Sequence, residues 1–342
     1  MENTATESSM TQASLSDSLA RKILLRALAH LAEGHLTIVD GNQTSEFGDP
    51  KSEVHATMQV QHANFYRQVV FGGSIGAGEA YIQGHWCSPD LTKVVQVFAQ
   101  NLALLDNIER YFSWLSNGVN RIKHIFNRNS ETGSKRNILA HYDLGNDMYK
   151  EFLDPEMMYS SALYPADDSS LNEAQLHKLH TICERLELTP GQTLLEVGTG
   201  WGALAIYAAK HYGVHVTTTT ISDAQFDYAQ ARVKQEGLED RITLLKQDYR
   251  LLTGEYDRVV SIEMIEAVGH EYLAGFFEKL QHLLKPSGRM LIQAITIADQ
   301  RYDSYRKSVD FIQRYIFPGG CLPSVSEMTK HIAKKTDMVT WS

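Results

Sequence analysis

Cysteine is scarce in this chain. Its 342 residues hold three, Cys87, Cys183 and Cys321, widely separated. An odd, scattered set supports neither a disulfide framework nor a zinc site, and a reducing cytoplasm is the default setting. Long apolar runs are missing too. No stretch approaches the roughly 20 residues that a helix needs to cross a bilayer, so any membrane contact has to be peripheral. The first residues are Ser/Thr-rich and acidic, without the basic and apolar regions of a signal peptide, and residues 1–18 read as a disordered tail. Positive charge is in deficit: 32 Lys and Arg stand against 41 Asp and Glu, a net charge of −9. A general nucleic-acid binder carries the opposite balance. What is left, 43% hydrophobic and 21% charged, is an ordinary globular composition with length enough for two domains.

The most informative stretch is TLLEVGTGWG, residues 193–202. Leu194, Leu195 and Val197 form a short apolar run of the kind found in buried parallel strands. Glu196 and the alternating glycines Gly198, Gly200 and Gly202 follow, and then an Ala-rich helical run over 201–211. Strand, glycine turn and helix in that order let a ligand lie against bare backbone N–H groups at a helix start. Here again absences are useful. No Gly-Lys-Ser/Thr follows, so this is not a phosphate loop of the P-loop type. The glycines are spaced G-x-G-x-G, not G-x-G-x-x-G as in dinucleotide binders. No Lys or Arg lies in the turn, and the acid at the strand end suits a cation such as the α-amino group of an amino acid. S-adenosylmethionine, with an ammonium, a carboxylate, a sulfonium and a nucleoside but no phosphate, meets that description. The alternative is a purely structural strand-to-helix turn.

Two domains are expected, over residues 19–129 and 130–342. In the first, apolar spacing marks a helix over 19–31, and Asp40-Gly41-Asn42 marks the turn of a hairpin over 36–47. Residues 55–60 and 64–70 read as two strands or as a strand and a helix. The glycines at 72, 73, 76, 78 and 84 argue against a long helix before about Glu79, and Pro89-Asp90 opens a helix over 91–105. Residues 111–128 interleave aromatic and basic side chains, as a membrane-interface helix does; a linker helix packed between domains is the commoner use of such a pattern. The polar stretch 127–135 reads as the boundary. In the second domain a helix over 171–188 is followed by alternating strands and helices: strands over 193–197, 214–220, 242–245, 257–262 and 289–295, helices over 201–211, 223–236 and 272–284, and a turn over 285–288. That alternation predicts an α/β fold, a doubly wound and mostly parallel sheet of the Rossmann-like type, beside a smaller N-terminal α+β domain. Ligands of such sheets bind at the carboxyl ends of the strands.

The residues in those loops carry a resemblance. HYDLGNDMYKEFLDPEMMYSSALYP, LLEVGTGWG, TISDAQ, QDYR, EMIEAVGHEYL and RYIFPGGCLPS resemble the cyclopropane-fatty-acyl-phospholipid synthase family, and GSIGAGEAYIQGHW resembles its N-terminal domain. The match runs in order from about Gly72 to Ser324, and its wording is closest to the plant-type branch. The resemblance implies a class I methyltransferase that moves the methyl carbon of S-adenosylmethionine to a cis double bond in a phospholipid acyl chain. It also implies a bound bicarbonate ion as the base. Carried over by residue, Glu196 would take the cofactor's ammonium, and Gly198, Gly200 and Gly202 would line its methionine part. Tyr159 and Ser160 would close over its carboxylate, Thr220 and Gln225 would meet the ribose, and Asp248 and Tyr249 the adenine. Glu266 and the Ile295 backbone would hold the bicarbonate, with Ser161 and Gln293 beside it. From the residues alone, Tyr249 reads equally as a core tyrosine and Glu266 as a helix cap.

There are three departures. Ser161 stands where the best-known bacterial members have Cys, and Gln293 where they have His; both can still hydrogen-bond an oxyanion. The family also continues past Trp341 with an active-site tyrosine, a helix and a final hairpin, so a fragment or an incomplete sheet is expected. The implied partner is an unsaturated phospholipid met peripherally at the inner face of the membrane, with a homodimer left open. The rival readings are methyl or methylene branching of the acyl chain, alkaloid N-methylation, and a lipid- or cofactor-binding remnant without activity.

Overall fold

A computed structural model describes residues 15–102, 104 and 145–340. The helix expected over 111–128, the boundary expected over 127–135 and the start of the HYDLGND segment lie outside the described residues. The chain divides into two compact units, residues 1–123 and 124–342. Among the described residues no helix is long and apolar enough to cross a membrane.

In the first unit, α1 (Leu15–Leu28) begins four residues before the helix start expected at 19 and takes in residues 15–18, which composition assigned to the tail. β1 (His35–Asp40) and β2 (Gln43–Gly48) form the expected hairpin, with Gly41 at φ 58 in a two-residue turn. β3 (His55–Val60) pairs parallel with β1, and the short β4 (Trp86–Cys87) pairs antiparallel with β3. The expectation that glycines would forbid a long helix needs correction. α2 runs over Asn64–Ile82, through Gly72, Gly73, Gly76 and Gly78, and breaks only at Gly73, whose φ of 57 and ψ of −140 are not helical. The kink brings the two halves together so tightly that a Cβ on Gly76 would lie 1.9 Å from the Gln68 carbonyl oxygen. Glycine here serves close approach and a bend, not helix termination. α3 (Leu91–Gln100) starts on an Asp90 cap, as the Pro-Asp pair suggested, and ends five residues short of 105. The core joins Leu24 and Leu28 of α1, Leu36 and Ile38 of β1, Phe65 and Tyr66 of α2, and Val94 and Val97 of α3.

The second unit starts, in its described part, with the single turn α4 (Asn146–Lys150) and the helix α5 (Leu171–Arg185), which opens on a Ser170–Glu173 capping box. Then β5 (Thr193–Val197), α6 (Ala203–Tyr212), β6 (His215–Thr220), α7 (Asp223–Gln235), β7 (Ile242–Lys246), β8 (Tyr256–Ile262), α8 (Leu273–Leu283) and β9 (Leu284–Gln293) follow, with α9 (Asp299–Tyr305) and α10 (Val325–Lys335) after them. The sheet order is β7-β6-β5-β8-β9 and every pairing is parallel. The period of two decides the layers. Leu194 and Val260 point to a core built on α5 and α6, while their neighbours Leu195 and Val259 point to the α8 side with Phe276, Phe277 and Leu280. The turn expected over 285–288 is instead an irregularity inside β9: Tyr256 pairs with Leu284 and Arg258 with Arg289, so the intervening residues bulge from the strand.

Candidate active site

The strand order reverses between β5 and β8, which places a crevice outside the carboxyl ends of these two strands. The loop leaving β5 is the glycine turn. Gly198, Gly200 and Gly202 have φ values of 104, 53 and 91, a region that side chains with a Cβ avoid. The three are not equivalent. A Cβ on Gly198 would press the Met264 side chain at 3.2 Å and one on Gly202 would press Ala229 at 3.3 Å, whereas one on Gly200 would meet no protein atom within 4 Å. Gly200 is therefore where the backbone lies bare to a ligand. The N–H groups of Gly198 and Thr199 both donate to the Thr219 carbonyl, at 3.2 and 3.0 Å, and so tie the turn to β6.

Beneath the turn, Glu196 is buried and accepts a 2.6 Å hydrogen bond from Thr218 Oγ1, which in turn lies 2.7 Å from Thr199 Oγ1. Burial pushes this carboxyl up to about 8, against the Thr218 hydrogen bond that favours its ionised form. A group that ionises in the unfolded chain near 4.5 but holds its proton in the fold until about 8 makes folding carry a proton. Its contribution to stability is intact below about 4.5 and drains away as pH rises to 8, by on the order of 1 kcal/mol per pH unit. We expect Glu196→Gln to narrow the difference between urea midpoints at pH 5.5 and pH 8. An unchanged difference would show that Glu196 ionises normally.

The residues expected around ribose and adenine lie in the loops after β6 and β7, but they satisfy one another. Thr220 Oγ1 donates to Gln225 Oε1 at 2.8 Å, and both are buried. The Asp248 carboxylate takes a two-pronged contact from Arg250, at 2.9 and 2.6 Å. Tyr249 packs edge-on against Phe276, ring centres 5.5 Å apart, and burial pushes its phenol up to about 12.

Tyr159 sits in an aromatic cluster. It meets Tyr149 and Trp201 edge-on, at 5.2 and 6.4 Å, and stacks on Phe317 at 6.5 Å. Trp201, the residue after Gly200, is buried and donates from Nε1 to Asn146 Oδ1 at 2.8 Å. The segment carrying Tyr159, Ser160 and Ser161 is held from α5. Gln175 Nε2 donates to the Met158 and Ser160 carbonyls at 3.2 and 2.8 Å; Lys178 Nζ donates to Ser160 Oγ and, at 2.8 Å, to the Ser161 carbonyl. Lys178 is a buried lysine. Desolvation lowers its ammonium to about 8, and the charges of Glu263 and Asp154 oppose that fall. Neither Gln175 nor Lys178 stands out in the sequence, because nothing there distinguishes a lysine on a helix that faces inward from one that faces water.

The loop leaving β8 supplies two carboxyl groups. Glu266 accepts from the Ile295 N–H through one oxygen; the other is buried with no hydrogen-bond partner. Burial first, and the charge of Glu263 last, push it up to about 7, opposed by backbone hydrogen bonds. Glu263 is not among the expected residues. Its Oε1 accepts from the Ser161 N–H and Oγ, each at 3.0 Å, and from Gln293 Nε2 at 2.8 Å. A signal for it exists: an acid in the first position after a strand at the switch point, three residues before Glu266. The RYIFPGGCLPS segment reaches the same place, where the Cys321 N–H donates to the Glu266 carbonyl at 2.8 Å.

Ser161 and Gln293 thus meet on Glu263, and the Ile295 N–H meets Glu266. They do not fit a bicarbonate ion as arranged. The donors expected to hold it are committed to the chain's own carboxyl groups, and an added anion would have to displace Glu263 and lie beside Glu266.

Comparison with known proteins places this geometry. The model of the family described as mycolic acid cyclopropane synthetase matches residues 129–341. The tuberculostearic acid methyltransferase UfaA1 of Mycobacterium tuberculosis is 36% identical over 323 residues, 91% of this chain and 73% of that protein. The cyclopropane-fatty-acyl-phospholipid synthase of Escherichia coli K12 is 38% identical over 291 residues, 84% and 72% of the two chains. Among solved structures, the mycolic acid cyclopropane synthase CmaA1, complexed with SAH and CTAB, shares 34% identity at a TM-score of 0.56, over 60% of this chain and 76% of that one.

Proposed function

Because the chain belongs to the mycolic acid cyclopropane synthetase family of S-adenosylmethionine-dependent methyltransferases, we propose that it acts on an unsaturated acyl chain of a phospholipid and converts its cis double bond to a cyclopropane. The observation that carries this reading is the meeting, at one switch point, of an open glycine turn with two carboxyl groups. S-adenosylmethionine bound there supplies an electrophilic methyl group. The residues that would hold it are Glu196 beneath the turn, the bare backbone at Gly200, and Tyr159 in its aromatic cluster. Thr220 and Gln225, freed from each other, offer a hydroxyl and an amide to a ribose. The half-exposed Ile295, and Phe317 against Tyr159, line the approach with apolar surface beside the carboxyl groups. An acyl chain there excludes water from a region where positive charge must develop, and the carboxyl groups are fixed in advance to meet it.

The phospholipid as substrate draws support from the Escherichia coli relative. Its match of 291 residues is longer than the second unit, so it reaches into the first. Contact with the bilayer is then peripheral. A second reading, methyl branching without ring closure, is favoured by the name of the Mycobacterium tuberculosis relative, a methyltransferase of tuberculostearic acid. Incubation with S-adenosylmethionine and vesicles of a cis-unsaturated phosphatidylethanolamine or phosphatidylglycerol decides between them. Upfield ring-methylene protons in the NMR spectrum of the lipid are expected. A branched methyl signal would select the second reading. No transfer to either lipid, while S-adenosylhomocysteine still binds, would overturn the phospholipid as substrate.

A further inference from the structure

Glu263 is the first residue after β8, and its backbone lies at φ 47. Besides Met157 and Glu187 it is the only described residue with a side chain and a positive φ. Such a conformation persists only where the surroundings impose it, and it concentrates at functional sites. Here the imposing contacts are visible. The Glu263 N–H donates to the Gln293 carbonyl at 2.8 Å, and its Oε1 takes the Ser161 N–H, the Ser161 hydroxyl and the Gln293 amide. Ser161 lies 102 residues away in the chain and Gln293 lies 30 away. These two are also the positions where this chain differs from the bacterial pattern of Cys and His. They are the groups that the resemblance assigns to a bound anion. In this chain those groups donate to a side-chain carboxylate.

We propose that Glu263 is the base of the reaction, so that its carboxylate, and not a bicarbonate ion, takes the proton released as the ring closes. This rests on the cyclopropanating reading above. The step balances. The alkene π pair forms the new carbon–carbon bond to the methyl carbon, and the broken carbon–sulfur bond leaves its pair on sulfur as a neutral thioether. The other alkene carbon becomes a cation; a C–H pair of the new methyl closes the ring onto it, and the proton passes to Glu263 and then to water. A methyl proton lost as the ring closes onto a carbocation is so acidic that a carboxylate removes it; what is required is position. Three donors on one oxygen supply the position. The half-buried setting leaves a route to water for the next turnover. The competing role is a latch: Glu263 would merely hold the 159–161 segment to the sheet.

Glutamine separates the two roles, because an amide oxygen still accepts from Ser161 and Gln293 but the amide is no base. Glu263→Gln is expected to bind S-adenosylhomocysteine as the wild type does, by calorimetry, and to lose turnover by about a hundredfold or more. Glu263→Gly suits the φ of 47 and frees the three donors for an external anion. It is expected to be inactive in carbonate-depleted buffer and to recover activity with added bicarbonate. The wild type is expected to be indifferent to bicarbonate. A titration of 13C-bicarbonate followed by NMR line width gives a readout apart from activity: binding to Glu263→Gly and none to the wild type. Undiminished turnover in Glu263→Gln, failure of bicarbonate to restore Glu263→Gly, or equal bicarbonate binding by the wild type would each overturn the assignment. A wild type that binds S-adenosylhomocysteine but modifies no unsaturated lipid would instead overturn the functional reading, and the bicarbonate titration would still decide which group occupies the site.

Discussion

Replacing Glu266 with glutamine is expected to lower turnover by about a hundredfold or more while S-adenosylhomocysteine still binds with wild-type affinity. Glu266 sits in a short turn of 3-10 helix, residues Ile265–Ala267, directly behind the β8 end. One of its oxygens is taken up by the Ile295 N–H and the other is buried without a partner. A half-satisfied buried carboxyl weakens the resting protein. That strain is offset only when a positive charge appears beside it, which in the proposed reaction happens after methyl transfer. Because burial and the Glu263 charge push it up to about 7, the group gains its charge as pH rises through neutrality. Wild-type turnover should therefore climb through about pH 7, and the glutamine variant should lack that limb. Glutamine removes the charge but keeps an oxygen for Ile295, so the fold is expected to be as stable as before or more so. Single-turnover rates across roughly pH 6 to 8.5, on either side of that value, with calorimetric binding as the control, would measure this. A Glu266→Gln protein with full turnover would remove the residue from the mechanism.

Gly200→Val is expected to abolish binding of S-adenosylhomocysteine in a protein that still folds. The backbone there is left-handed at φ 53, and a valine costs on the order of 1–2 kcal/mol in that conformation. No protein atom lies within 4 Å of the added Cβ, so the core is untouched. The methyl groups fall instead on the open side of the turn, where a ligand would rest on the backbone. Gly237 provides the control. It has φ 64, a Cβ placed on it would also meet no atom within 4 Å, and it lies in the loop after α7. Gly237→Val carries the same strain and should bind normally. Equal affinity in the Gly200 and Gly237 variants would place the cofactor on a different loop.

The parts of the fold legible in the sequence are those set by local chemistry. The apolar run at 194–197, the three glycines and the Ala-rich helix announce a strand, a tight turn and a helix, because period and backbone freedom act over a few residues. The order of strands and helices then leaves a parallel sheet as the simplest solution. Local reasoning failed where a distant contact overrode it. Glycine content speaks against a long helix before about Glu79, yet the helix runs over Asn64–Ile82 with one kink at Gly73. The Pro286-Ser287-Gly288 turn signal is real, but the flanking residues still pair with β8, so it became a bulge. Tyr249 is ambiguous in the sequence because an aromatic side chain at a strand end can face a ligand or a core; the fold packs it edge-on against Phe276.

The sequence by itself therefore determined where a ligand could approach backbone, that it would be cationic rather than a phosphate, and which loops would meet at the carboxyl ends of the strands. Only the tertiary structure decided how the acids there are used. It buried Glu196 and one carboxyl oxygen of Glu266, so that desolvation raises both, and it closed Asp248 onto Arg250. It also carried Ser161 across 102 residues to Glu263, where one carboxylate oxygen gathers the donors expected for a separate ion. Charge state and hydrogen-bond partners depend on what surrounds a group in space, and in this site the decisive neighbours come from loops far apart in the chain.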